Sequence, residues 1–169
     1  MALRLNVANR QAVYFNHMKV TANVTNGMLR LSYTIKSEHG AEPRITEPLT
    51  ANDSVTICGV VVRVLGIADT QVSRLDFAAP PAIVINKQKF YESATQNSGG
   101  YVIQRGVYNH FYHTYGLSRA DIEALIKQGT KKPDADNAKA GEIMTLETDD
   151  VKTHKLFYFS GVIHDVQSI

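Results

Sequence analysis

The feature that most constrains the fold is an alternating segment directly after an Asn-Gly pair. Residues 28–35 read Met-Leu-Arg-Leu-Ser-Tyr-Thr-Ile, which places both leucines on one side and mostly polar side chains on the other. A period of two is typical of a strand that buries one face. The pair Asn26-Gly27 favours a two-residue hairpin turn, and residues 18–24 are a plausible partner strand. This part of the chain is therefore predicted to form an antiparallel hairpin.

Further strand signals fill the first hundred residues. Residues 55–67 are rich in β-branched side chains, and a bulge or bend is expected at Gly59. Residues 71–77 and 82–86 predict two more strands, separated by an Ala-Ala-Pro-Pro sequence that no helix would tolerate. Residues 96–100, Gln-Asn-Ser-Gly-Gly, are the predicted linker. We therefore expect a β-rich domain over residues 1–96 and an α+β extension, packed on it, over residues 101–169.

Beyond the linker the apolar period becomes that of a helix. The aromatic residues that predict this short helix, ended by Gly116, are Tyr108, Phe111, Tyr112 and Tyr115. Ser118, with Asp121 three residues on, predicts the capped start of a second helix. That helix would end at Gly129, and its buried face would be Ile122, Leu125 and Ile126.

The remaining residues complete the predicted architecture. Residues 130–141 are polar and predict an exposed loop, whereas residues 142–146 and 155–166 predict a closing β-hairpin with its turn at 160–161. The expected fold class is α+β and mainly β. It comprises a small antiparallel sheet or barrel, then a helical hairpin, then the closing β-hairpin.

Composition excludes several classes of protein. The only cysteine, Cys58, cannot form a disulfide within the chain. No apolar run approaches the roughly 20 residues of a membrane helix, so no membrane partner is expected. Residues 1–20 lack the apolar segment of a signal peptide, which predicts a cytoplasmic protein. The net charge of +2 permits an anionic partner without requiring one.

Four segments resemble the carbon storage regulator (CsrA) family of bacterial RNA-binding proteins. They are residues 47–57 (Glu-Pro-Leu-Thr-Ala-Asn-Asp-Ser-Val-Thr-Ile), 63–67 (Arg-Val-Leu-Gly-Ile), 71–80 (Gln-Val-Ser-Arg-Leu-Asp-Phe-Ala-Ala-Pro) and 84–91 (Val-Ile-Asn-Lys-Gln-Lys-Phe-Tyr). Residues 28–35 are similar to the opening strand of the family. The resemblance therefore covers residues 28–35 and 47–96, with residues 58–62 as an insertion. It implies a small β fold that binds mRNA and controls translation, and it leaves a homodimer open.

The resemblance also places the RNA surface. Carried over position by position, the family's functional His and Arg of the last strand become Asn86 and Lys87, and the opening Arg becomes Tyr33. Alternation of cations and rings near position 87 suits phosphate contact and base stacking. The candidate RNA-binding residues are Lys87, Lys89, Arg30, Tyr33, Tyr91, Arg63 and Arg74.

We expect no catalysis, since the sequence contains no phosphate-binding loop, nucleophile elbow or zinc-protease motif. No cofactor is expected. His110 and His113 lack the further ligands that a zinc site needs, so no metal is expected either. The predicted function is non-enzymatic binding of single-stranded RNA, mRNA above all, in translation or RNA handling.

Two alternatives from other classes stay open. Residues 108–128 resemble a DNA-binding helix-turn-helix, in which Arg119 and Ala120 would lie near the bases. The chain also suits a structural or interaction protein, such as a viral assembly component or an inhibitor, that binds a protein partner through sheet edges and aromatic side chains. Whether the aromatic segment 101–115 is core or binding surface is likewise open.

Overall fold

The structure is a computed structural model of the 169-residue chain, and it describes residues 2–133, 142–147, 153–159 and 162–165. Contacts within the chain divide it into two compact units, residues 1–88 and residues 89–169. The boundary precedes the predicted linker at 96–100. The fold is α+β and mainly β, as predicted. No helix in the described part is long and apolar enough to cross a membrane.

Unit 1 consists of antiparallel strands in two sheets. The strands are β1 (Ala2–Ala8), β2 (Ala12–Phe15), β3 (Met18–Thr25), β4 (Met28–Ser37), β5 (Gly40–Ile45), β6 (Ser54–Ile57), β7 (Val60–Ile67), β8 (Val72–Ala78) and β9 (Ile85–Lys87). The four-stranded sheet has the order β1-β8-β7-β6, and the five-stranded sheet has the order β5-β4-β3-β2-β9.

The hairpin of β3 and β4 confirms the prediction. Thr25 pairs with Met28 across a two-residue turn, in which Asn26 has a φ of 54° and Gly27 a φ of 73°. Two positive φ values define the turn whose twist matches that of the flanking strands. Along β4, Leu29 is fully buried and Leu31 is 2% exposed. The alternation in the sequence therefore correctly predicts which side of this strand faces the core.

Residues 55–67 fold differently from the expectation of one bent strand. The chain reverses completely at Cys58-Gly59, and Ile57 pairs with Val60 in the β6–β7 hairpin. Both turn residues have positive φ, 47° and 85°, which a glycine in the second position accepts without strain. The irregularity in this segment lies between Val64 and Gly66, where the register with β8 shifts.

One hydrophobic core joins the two sheets of unit 1. Phe15 of the five-stranded sheet and Phe77 of the four-stranded sheet meet edge to face, with ring centroids 5.8 Å apart. The other fully buried side chains of this core include Leu29, Ile57, Val60, Val62 and Leu75. Each such side chain contributes about 1.5–3 kcal/mol by leaving water. Since the side chains of the two inner faces are buried in this core, a ligand can bind only at the outer faces and edges of the sheets.

Unit 2 is a layer of helices on a mixed sheet. Its described elements, from the helix that starts at the unit boundary, are α1 (Gln88–Asn97), β10 (Val102–Ile103), α2 (Arg105–Tyr115), α3 (Arg119–Gln128), β11 (Thr130–Pro133), β12 (Glu142–Glu147), β13 (Thr153–Phe159) and β14 (Val162–Asp165). The sheet order is β10-β14-β13-β12-β11, and β10 runs parallel to β14. Side chains of α2 and α3, such as Phe111 and Ile126, share one core with Met144 and Leu146 of β12.

The helical hairpin agrees with the sequence. Gly116 ends α2 with a φ of 66°, and its N–H donates back to the carbonyls of the last turn. Ser118 and Asp121 form the reciprocal capping box that begins α3. Strands β12 and β13 pair antiparallel, as the predicted closing hairpin requires.

Two predictions for this unit are wrong. Residues 130–133, expected in a loop, form β11 at the edge of the sheet. Residues 88–91, which the resemblance groups with the last strand of the family, begin helix α1 instead. The rest of the predicted loop, residues 134–141, and the predicted turn at 160–161 lie outside the described residues.

Candidate functional site

The structure does not bring the seven candidate residues together. Arg30 lies on the outer face of the five-stranded sheet, whereas Tyr33 on the same strand packs against the core of unit 1. The two residues are an odd number of positions apart, so their side chains leave opposite faces of the strand. Tyr33 therefore does not lie on the face of Arg30, as the alternation of residues 28–35 predicts.

The structure does not place the cations and rings near position 87 together on one strand. Lys87 is the last residue of β9 and is exposed. It pairs with Val13, which points into the core, so it leaves the sheet on the side opposite to Arg30. Lys89 and Tyr91 belong to α1, where the side-chain period is 3.6. Lys89 is exposed, and Tyr91 is half-buried.

Arg63 and Arg74 share the outer face of the four-stranded sheet. Arg63 and Arg4 both pair with Asp76, one from each side, and Arg74 lies two residues from Asp76 along β8. Asp76 therefore lies between Arg4 and Arg63 in the ladders, with paired strands about 4.8 Å apart, although within the described residues it forms no ion pair with either. Arg63 also donates to Asn52 Oδ1 at 3.5 Å. Arg4, which is not one of the seven candidate residues, joins this cluster through its pairing with Asp76.

The outer face of the five-stranded sheet has a simpler charge pattern. We call it the polar face; its members on β2, β3 and β4 are Tyr14, Lys19, Thr21, Asn23, Thr25, Met28, Arg30, Ser32, Thr34 and Lys36, and the neighbouring strands add Ala41, Pro43, Ile45 and Asn86. Three are cations, all exposed, and none is a carboxylate. The nearest acidic strand residue, Glu42, pairs with Ile35 on the other side and forms a 3.1 Å ion pair with Arg44. Its charge is therefore already neutralised.

A groove of about 200 Å³ lies in the polar face beside Arg30. Its lining residues are Asn23, Thr25, Asn26, Met28, Arg30 and Pro48. One wall is formed because the chain after β5 runs back along β4. The Leu29 N–H donates to Leu49 O at 2.8 Å, and the Leu49 N–H donates to Leu29 O at 2.7 Å. This bridge fixes Pro48 next to Arg30.

The polar side chains of the groove differ in whether they have hydrogen-bond partners within the protein. Asn23 faces Arg30 across the β3–β4 ladder, and its Nδ2 donates to Ser32 Oγ at 3.2 Å. Within the described residues, the side chains of Arg30 and Asn26 have no hydrogen bond or ion pair. Two planar donor groups are thus free in an apolar-walled groove. Neither Asn23 nor Asn26 was among the candidate residues, although their places follow from the strand alternation and the turn.

A second polar cluster lies inside unit 2. Glu123 is only 4% exposed. Its carboxylate accepts from Tyr108 Oη at 3.1 Å and from Asn97 Nδ2 at 3.2 Å, so it links α1, α2 and α3. The guanidinium of Arg119 lies 4.6 Å from the centre of the Tyr108 ring. Burial, with the nearby charge of Glu123, raises the pKa of Tyr108.

These contacts show what the aromatic segment does. Phe111 is 1% exposed and Tyr108 and Tyr115 are half-buried, so the segment contributes mainly to the core of unit 2. Tyr112 is the exception at 60% exposed, although its spacing predicted a buried position. Arg119, which the helix-turn-helix interpretation places near DNA bases, lies against Tyr108. In the described part of the chain, no group of three or more His, Cys, Asp or Glu could hold a metal ion.

No protein-family model, curated protein or solved structure matches the chain. The resemblance to the carbon storage regulator family therefore stays a prediction.

Proposed function

We propose that the protein is a non-enzymatic RNA-binding protein that takes single-stranded RNA, mRNA above all, on the polar face of its five-stranded sheet. The observation that carries this proposal is the set of exposed cations, Lys19, Arg30 and Lys36, on a face without a carboxylate. Such a face attracts a polyanion, because the strand positions that form it carry no acidic side chain to compete with the phosphates.

The polar face also supplies the contacts that unpaired RNA needs beyond phosphate. Hydroxyl and amide side chains of β3 and β4 can reach ribose hydroxyls and base edges. Tyr14 is half-buried on this face and pairs with Lys19, which offers a ring next to a cation. A flat sheet of this kind suits an extended strand better than a duplex, whose bases are already stacked and paired.

The arginine cluster of the four-stranded sheet is the weaker surface. Asp76 pairs with both Arg4 and Arg63 and would repel a phosphate placed between them. The exposed area around it includes Val61, 42% exposed, and no aromatic ring at the paired positions. A comparison of Arg30 with Arg74 therefore separates the two faces experimentally.

The test measures binding of a fluorescent single-stranded RNA by anisotropy over a range of salt concentrations. Each cation that contacts a phosphate contributes about −0.7 to the slope of log K against log salt, so three contacts give about −2. We expect Arg30→Ala to reduce the slope by one contact and to weaken binding, whereas Arg74→Ala leaves both unchanged. Duplex DNA serves as competitor.

Three results would contradict the proposal. Absence of RNA binding by the wild-type protein at low salt would end it. Equal losses in Arg30→Ala and Arg74→Ala would show that the RNA does not select the polar face. Displacement of the RNA by duplex DNA at lower concentration than by unlabelled RNA would favour the DNA-binding alternative.

A further inference from the structure

We propose that the groove beside Arg30 binds one unpaired adenine base. This inference rests on the proposed RNA binding and adds a base preference to it. The groove, the free amide of Asn26 and the apolar walls of Met28 and Pro48 are the three observations that carry it.

The size and walls of the groove suit a single base. Small-molecule pockets usually measure about 300–1,000 Å³, so a groove of about 200 Å³ admits one ring system and not a base pair. Met28 is 38% exposed, and its thioether can contact the face of a ring. Pro48, half-buried, closes the other side next to Arg30.

The polar rim selects the base by its edge. A carboxamide forms two hydrogen bonds with adenine, accepting from the N6 amino group and donating to N7. Asn26 carries such a carboxamide without a partner among the described residues, on a hairpin turn that fixes its backbone. Asn23 already donates through Nδ2 to Ser32, which leaves its Oδ1 to accept from an amino group.

Arg30 has a separate role in this arrangement. It lies across the ladder from Asn23 at the rim of the groove and can hold the phosphate that flanks the bound base. If Arg30 instead read a base directly, its guanidinium fork would favour guanine. Lysine keeps the positive charge but lacks the fork. Arg30→Lys therefore distinguishes the two roles.

The experiment compares dissociation constants of the full chain for short single-stranded RNAs: an all-A oligonucleotide, an all-U oligonucleotide, and an all-U oligonucleotide with one central G or one central A. The variant Asn26→Gly removes the amide and preserves the turn, since glycine accepts the same positive φ. Asn52→Gly is the matched control, because Asn52 also has positive φ but lies outside the groove.

We expect the central A to tighten binding by about 5- to 150-fold relative to all-U RNA, the range of one bidentate base contact. Asn26→Gly should abolish this preference and retain the affinity for all-U RNA, whereas Asn52→Gly and Arg30→Lys should retain the preference. Equal binding of all sequences, or a preference for the central G that Arg30→Lys removes, would overturn the adenine site and leave RNA binding intact. Failure to bind any of the oligonucleotides would overturn the proposed function itself.

Discussion

The buried Glu123 cluster gives the sharpest test of how unit 2 is held together. In the variant Tyr108→Phe, the ring beneath Arg119 is kept and only the hydroxyl that donates to Glu123 is lost. The carboxylate would then retain the Asn97 amide as its donor in a site that is 4% exposed. A hydrogen bond to a charged group contributes about 1.5–3 kcal/mol, so we expect the free energy of unfolding to fall by that amount.

The assay is thermal unfolding followed by far-ultraviolet circular dichroism, with hydrogen exchange of amides in α2 and α3 to assign the change to unit 2. For a unit of this size, 1 kcal/mol corresponds to about 4–8 °C, so the melting temperature of unit 2 should fall by at least about 6 °C. Tyr112→Phe is the matched control, since it makes the same chemical change on the same helix at a 60% exposed position. Its expected effect is within about 0.5 kcal/mol. Equal melting temperatures for the two variants would refute the view that Glu123 needs the Tyr108 hydroxyl.

Two further predictions concern the same unit. Burial, and then the charge of Glu123, raises the pKa of Tyr108 in the folded protein, whereas the pKa of an unfolded tyrosine is about 10. The phenol therefore stays protonated in the folded state above about pH 10. Its contribution to the free energy of unfolding is fully present below about pH 10 and is lost as the pH rises above that value. By tyrosinate absorbance, the phenol of Tyr108 should therefore ionise only as unit 2 unfolds, and its ionisation in the folded protein would contradict this. Gly129→Ala should destabilise unit 2 by about 1–3 kcal/mol, because the added Cβ would lie 2.5 Å from the buried Leu146 side chain. Gly106→Ala is the control, because its added Cβ would have no neighbour closer than 3.9 Å. Equal unfolding curves for the two variants would contradict this prediction, since they would show that the core accommodates the extra methyl group without loss of stability.

Local signals predicted the parts of the fold that depend on neighbouring residues. Asn26-Gly27 and the alternation after it fix the β3–β4 hairpin, and Ser118 with Asp121 fixes the start of α3. These features need no distant partner, since the turn or cap satisfies its own backbone groups. The helical hairpin and the outward position of Arg30 could be predicted for the same reason.

The remaining features depend on contacts between distant segments. Whether Arg63 and Arg30 share a surface is decided by which strands pair, and the pairing of β7 with β8 and of β3 with β4 assigns the two arginines to different sheets. Residues 84–91 have apolar or aromatic residues at both ends and the polar residues 86–89 between them; the ladder with β2 ends at Lys87 and the chain turns into α1. A short segment of this kind has no clear period, so it is ambiguous between helix and strand until its tertiary partners are known. The carboxylate-free character of the polar face likewise follows only from the register.

The bridge between Leu29 and Leu49 has a consequence for the rates of binding. With β3 on one side of Arg30 and this bridge on the other, the backbone around the groove is set when the protein folds. On the protein side, binding then has only side-chain rotamers to immobilise, so the protein loses little conformational entropy on association. Complexes of this kind superpose on their free structures to within about 1 Å. Association should therefore be a single fast step without a slow rearrangement phase, and differences in affinity between RNA sequences should arise in their dissociation rates.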